Sequence, residues 1–341
     1  MNLTEMNTVA RAMTAPGRGI LAADESTSTI KKRFDAIGVE STVDARRDYR
    51  ELLFRATDAM KPYISGVILY DETIRQSARD GTPLVKIIEQ EGALPGIKVD
   101  TGAKPLAAFP GEMVTEGLDG LRERLIEYRS LGAKFAKWRA VITIGAGIPT
   151  SACIRANTHA LARYAALCQE QSIVPIVEPE VLMDGDHDIG RCSEVTEWVL
   201  KILYAELFEA RVALEGSVLK PNMVLPGEHA AKRPSVAQVA DATLRVLKAC
   251  VPVAVPGIAF LSGGQSDEEA TAHLDAMNKI GNLPWRLTFS YGRALQAAPQ
   301  AAWRGRSDNV AAAQRAFVHR ARMNGLAARG EWAAELEQQA A

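Results

Sequence analysis

The sequence predicts a parallel β/α architecture closed into a single (β/α)8 barrel. Three observations lead there. Short apolar runs alternate with amphipathic stretches from residue 20 almost to the end. The runs number eight, which closes a barrel, and charged residues recur at their ends. An open doubly wound sheet is the competing arrangement. It fits less well, because no run is followed by G-x-G-x-x-G and the charged ends continue all round the series. At 341 residues, 47% hydrophobic and 24% charged, the chain has as many residues as one barrel uses, and no composition break divides it. Residues 1–341 are therefore expected to form one catalytic barrel domain, with 1–19 as an irregular or helical lead-in and 324–341 as a polar C-terminal tail.

The runs in order are Ile20–Ser26, Gly66–Asp71, Gly96–Asp100, Phe135–Ile142, Val174–Val181, Val218–Val224, Gly257–Gly263 and Arg286–Gly292. Apolar stripes at helical spacing lie between them: Tyr49, Leu52, Leu53, Ala56 and Met60; Leu118, Leu121, Leu125 and Tyr128; Leu161, Tyr164, Ala165 and Cys168; Val195, Trp198, Val199 and Ile202. These stripes are core-facing. Ser266 with Glu269 has the spacing of a capping box, and a final helix is expected over about 309–323. Pro179 and Pro221 lack an N–H and are expected to mark the ends of the fifth and sixth ladders.

Composition excludes several classes of partner. Net charge is −1 without a long single-sign block, so neither nucleic acid nor an anionic membrane is indicated. No apolar stretch reaches membrane-spanning length, residues 1–19 do not resemble a signal peptide, and Val251–Leu261 is interrupted by Pro252 and Pro256. The four cysteines show no C-x-x-C spacing and read as reduced, mostly buried thiols of a cytoplasmic protein. The five histidines are scattered, which gives no metal-ligand cluster. Asp184-Gly-Asp-His-Asp188 lacks the turn glycine and closing glutamate of a calcium loop.

The chemistry lies at the C-terminal ends of the runs, where a barrel of this kind places its active-site mouth. Asp24 and Ser26 share a face at the first end, Lys137 and Arg139 on the fourth run, and Glu178 and Glu180 on the fifth. The sixth gives Lys220, expected to share a face with Val218, Asn222 and Val224. Each pair alone could be a structural ion network or a solvated edge, and a lone lysine could snorkel. Four successive sources at one end of a barrel are harder to explain by stability, because an apolar core would be the simpler solution. A partly desolvated lysine beside a second cation has a lowered pKa, and its amine can attack a carbonyl. Nearby carboxylates can move the protons that make an iminium, the electron sink needed to break a carbon–carbon bond beside a ketone. Lys220 suits this role better than Lys137, whose neighbour Arg139 makes it an electrostatic clamp. Loops Leu261-Ser-Gly-Gly-Gln-Ser266 and Ser290-Tyr-Gly-Arg293 follow the seventh and eighth runs, where barrels commonly bind phosphate.

Ile20-Leu-Ala-Ala-Asp-Glu-Ser26, Phe135-Ala-Lys-Trp-Arg139, Ile176-Val-Glu-Pro-Glu180, Leu219-Lys-Pro-Asn-Met-Val224, Leu261-Ser-Gly-Gly-Gln-Ser266 and Phe289-Ser-Tyr-Gly-Arg-Ala-Leu295 resemble, in order, the class I fructose-bisphosphate aldolases. The resemblance covers about residues 20–330. It implies a TIM barrel, usually a homotetramer, that needs no metal or cofactor and acts on sugar phosphates in the cytoplasm, in glycolysis and gluconeogenesis. It makes Lys220 the Schiff-base lysine and Glu178 the main general acid/base, within a cluster of Asp24, Lys137, Arg139 and Glu180. Ser26 and Thr29 match residues near one phosphate and Ser262 and Gly263 the other, while Gly292 and Arg293 belong to the eighth-run loop and Arg293 serves both. Lys32 and Arg33 match basic residues at the mouth. The chain departs from the family at Thr101, usually lysine, with Lys104 three residues on. It departs also at Ser28, often glycine, and at its last residues, where many members have a tyrosine. A metal-dependent aldolase would need clustered histidines, and a non-catalytic sugar-phosphate binder would need neither a lysine nucleophile nor paired acids.

Overall fold

A computed structural model describes residues 1–338. The last three residues of the expected C-terminal tail lie outside the described part. Eight parallel strands close into a barrel: β1 (Gly19–Ala23), β2 (Ile64–Leu69), β3 (Leu94–Lys98), β4 (Phe135–Ile142), β5 (Val174–Val181), β6 (Val218–Leu219), β7 (Gly257–Phe260) and β8 (Arg286–Tyr291). Ile20 of β1 pairs with Ser290 of β8 to complete the ring.

Strand alternation sorts the side chains into two sets. Leu21, Ala23, Val67, Leu69, Ile97, Trp138, Val177, Phe260 and Phe289 belong to the core shared with the surrounding helices. Ile20, Ala22, Ile68, Phe135, Val174, Ile176, Val218 and Ala259 form a separate apolar cluster with Met6, Ala10 and Met13 of the helix Leu3–Met13. The interior is therefore apolar at the N-terminal ends of the strands. Following the same alternation, Phe135 leads to Lys137, Ile176 to Glu178 and Val218 to Lys220, so the interior turns charged toward the C-terminal ends. Each fully buried apolar side chain contributes about 1.5–3 kcal/mol, so the apolar half anchors the charged half.

One of the two expectations about proline needs correction. β5 continues through Pro179 to Val181, which pairs with Ile142. Val174 and Leu182 donate to β4 and its flank, so the odd-numbered residues between them face β6. Pro175 and Pro179 thus point their missing donors at a neighbour paired only through Val218 and Leu219, and lose little. Pro221 does act as expected, and earlier: β6 stops at Leu219 rather than Val224. Beyond that point alternation no longer holds. Asn222 is not on the interior face with Lys220; its side chain accepts from Val181 N at 3.0 Å and donates to Thr196 Oγ1 at 3.2 Å.

The stripe from Tyr49 to Met60 spans two helices, Val43–Phe54 and Thr57–Tyr63. The Ser266–Glu269 capping box forms as expected at the start of the helix Asp267–Ile280. The final long helix, Val310–Ala327, runs past the expected end at Met323. An antiparallel hairpin, Gly102–Pro105 with Met113–Glu116, is inserted after β3 and was not anticipated.

Candidate active site

The C-terminal ends of the strands open into a cavity of about 600 Å³. Asp24 enters just beyond β1, Lys98 ends β3 with Asp100 next to it, and β4 supplies Lys137 and Arg139. β5 supplies Glu178 and Glu180, and Lys220 follows β6. All six charged residues singled out in the sequence therefore line one space. Lys137, Glu178 and Lys220 are each no more than 4% exposed.

Their pairing is specific. Lys137 Nζ lies 2.7 Å from Asp24 Oδ2 and 3.4 Å from Glu178 Oε2. Lys220 Nζ lies 3.1 Å from the other oxygen, Glu178 Oε1. Arg139 pairs with Glu180, and Lys98 sits 2.8 Å from Asp100 Oδ1. Charges as deep as those of Lys137, Glu178 and Lys220 persist only because each has a partner, whereas the Arg139 side chain is exposed. Burial alone would raise the pKa of Asp24, but Lys137, Lys220 and Lys98 overcome it and hold the carboxyl at about 2. Burial likewise pulls Lys137 down, yet Asp24, Glu178 and Asp100 outweigh it and keep the ammonium firmly protonated. Glu178 Oε2 accepts no hydrogen bond among the described residues, although Lys137 is close.

The pull on Asp24 has a testable sign. Its folded pKa lies below the ordinary 3.8, so its charge stabilises the fold above that value and the contribution is lost as pH falls to about 2. We expect the stability of wild type relative to Asp24→Asn to fall by on the order of 2 kcal/mol across that interval, followed by urea unfolding at decreasing pH. A difference that stays flat or grows on acidification would contradict this electrostatic account.

The expected anion-binding residues fall into two groups. Ser26 caps the helix Thr27–Asp35, and its Oγ lies 3.1 Å from Thr29 Oγ1; both residues line the cavity with Arg33. Lys32 is exposed on the same helix and is not part of the lining. On the opposite rim Ser262, Gly263, Gly292 and Arg293 all line the cavity. Gly263 has φ +52°, and a Cβ there would meet Met183 Sδ at 2.8 Å, so this turn favours glycine. Arg293 Nη2 donates to the Gly263 carbonyl at 3.1 Å. Thr101 and Lys104 are exposed beside the cavity rather than in its lining, and the cation on that wall is Lys98.

Several polar lining residues were not singled out in the sequence as part of the site, Lys98, Asp100, Glu25, Asp184 and Glu228 among them. Lys98 and Asp100 stand two apart at the end of the third run, the same signal that exposed Lys137 and Arg139. Ser290, which opens the loop named in the sequence, is buried, and its Oγ has no partner among the described residues. Glu25 gave no usable signal, because its partners are distant in sequence: Arg33 at 2.5 Å, Arg50 at 3.2 Å and Gln296 at 2.7 Å.

A closed parallel barrel whose mouth joins a buried lysine–carboxylate cluster to two rims carrying hydroxyls, glycines and arginines has the makings of a barrel enzyme for an anionic substrate. A sequence model described as "Glycolytic: Fructose-bisphosphate aldolase class-I" matches residues 5–341. A probable class 1 fructose-bisphosphate aldolase of Xanthomonas campestris pv. campestris is 58% identical, covering 97% of this chain and 99% of its own. Fructose-bisphosphate aldolase C of Rattus norvegicus is 52% identical over 96% of this chain and 91% of its own. A solved fructose-bisphosphate aldolase of Plasmodium falciparum superposes with a TM-score of 0.95 at 46% identity, over 97% of this chain and 96% of that one. The chain belongs to the class I fructose-bisphosphate aldolase family, and its activity is that of a carbon–carbon lyase. Among the described residues, no helix is long and apolar enough to cross a membrane.

Proposed function

We propose that the enzyme cleaves fructose 1,6-bisphosphate reversibly to dihydroxyacetone phosphate and glyceraldehyde 3-phosphate through an imine on Lys220. One observation carries this reading: Glu178 stands between the two buried lysines, 3.1 Å from Lys220 and 3.4 Å from Lys137. Lys137 has two carboxylates and stays an ammonium, whereas Lys220 faces one oxygen of a carboxylate able to exchange protons with it. Lys220 Nζ attacks the C2 carbonyl carbon, and Glu178 delivers the proton with which the carbinolamine hydroxyl leaves as water. The iminium accepts the electron pair of the C3–C4 bond as a base, Glu178, takes the C4 hydroxyl proton. Glyceraldehyde 3-phosphate departs, the enamine takes a proton at C3, and hydrolysis frees dihydroxyacetone phosphate and the amine.

Asp24 and Lys137 hold fixed charges beside the reacting carbons, and Arg139 with Glu180 completes the wall. Ser26, Thr29 and Arg33 receive one phosphate and Ser262, Gly263, Gly292 and Arg293 the other, with Lys32 at the outer mouth. This chemistry uses no metal or other cofactor. Family membership supports a homotetramer working on sugar phosphates in the cytoplasm, in glycolysis and gluconeogenesis.

Isotope loss tests the route. Substrate labelled with oxygen-18 at C2 should yield unlabelled dihydroxyacetone phosphate, captured at once by reduction to glycerol 3-phosphate, because the carbonyl oxygen leaves as water. Retention of the label through cleavage would contradict an imine.

A further inference from the structure

The turn after β7 is braced from behind by two side chains that take no part in the chemistry above. Gln265 is buried, and its backbone N–H at 3.2 Å and its Nε2 at 2.8 Å both donate to the Ser262 carbonyl. With Nε2 on a carbonyl, the amide is oriented, and Oε1 on its other side can only accept. It lies 2.6 Å from Nδ1 of His273, two turns into the helix Asp267–Ile280. Nδ1 must therefore carry the proton. Burial lowers the pKa of His273 to about 4, against the pull of Glu269, so the ring works as a neutral donor near neutral pH. On the front of the same turn, Ser262, Gly263 and Gly264 line the cavity, and Arg293 donates to the carbonyls of Gly263 and Gln265.

We propose that His273 is a positioning residue for phosphate recognition: its Nδ1–H holds Gln265, Gln265 holds the Ser262 carbonyl, and the Ser262–Gly264 turn thereby keeps the shape it presents to a sugar phosphate. The inference rests on the reading of Ser262, Gly263 and Arg293 as a phosphate site. Removing the donor leaves Gln265 Oε1 buried without a partner. The amide then reorients to find one and releases Ser262. Lys220 and Glu178 are held by other strands, so binding suffers rather than the chemical step.

The test is steady-state kinetics of the full chain with fructose 1,6-bisphosphate, together with competitive inhibition by inorganic phosphate. His273→Leu should raise KM and the phosphate inhibition constant about tenfold, the size of one lost buried hydrogen bond, while kcat stays within about threefold. His273→Asn, which keeps an N–H donor at the Nδ1 position, should stay near wild type in both. Arg293→Ala is the reference for the site itself. If it leaves phosphate inhibition unchanged, the phosphate reading fails. If it weakens inhibition but His273→Leu does not, even with a lowered Tm, His273 is merely structural and the inference is overturned. It is equally overturned if His273→Asn behaves like His273→Leu. Should His273→Leu not fold, Gln265→Glu carries the same expectations, since it keeps an acceptor for Nδ1 and loses the donor to Ser262.

Discussion

Lys220→Arg should yield a folded barrel whose cleavage of fructose 1,6-bisphosphate is slower by on the order of 10⁵-fold, the scale of losing a covalent nucleophile. The guanidinium keeps the positive charge that Glu178 pairs with at 3.1 Å, so the cluster remains neutralised and the fold should survive. It cannot act as a nucleophile, because it is never deprotonated at working pH. Lys220→Ala should be as inactive and slightly less stable, since it strands one oxygen of Glu178. Circular dichroism and kinetics on both variants separate the effects. Substantial activity in Lys220→Arg would mean that charge, not the amine, is what the site requires.

Glu178→Gln should lower kcat by about 10²–10⁴-fold, the range for a positioned acid or base, with a small change in KM. Glu180→Gln should cost much less, because Glu180 is engaged with Arg139 whereas Glu178 reaches both lysines. The two variants carry the same charge change on the same strand and face, so the comparison isolates position. If Glu180→Gln costs as much and Glu178→Gln less than about tenfold, proton transfer runs through a different carboxylate.

Much of this site was legible in the sequence because a strand has period two. Lys137 with Arg139, and Glu178 with Glu180, announce a shared face, and on β4 and β5 the regular pairing carries that face into the cavity. The rule failed where the ladder stopped. Pro221 ends β6 after Leu219, so Asn222 left the predicted face and became a bracket between Val181 and Thr196. Lys220 kept its place because it is the first residue past the strand, its N–H still bonded to the Val177 carbonyl at 2.9 Å. Pro179 misled in the opposite direction, since local sequence does not say which neighbour a missing N–H would have faced. Glu25 could not be assigned, because Arg50 and Gln296 reach it only once the barrel has closed. The Gly102–Glu116 hairpin is short, half exposed and broken by Pro105 and Pro110, so no hydrophobic alternation marked it.

The central claim is that Lys220 Nζ forms the imine. Incubation with dihydroxyacetone phosphate and borohydride, followed by mass spectrometry of the digested protein, tests it most directly. A single reduced adduct is expected on the peptide containing Lys220, and none in Lys220→Arg. An adduct on Lys137, or no adduct in an enzyme that still cleaves, would contradict it.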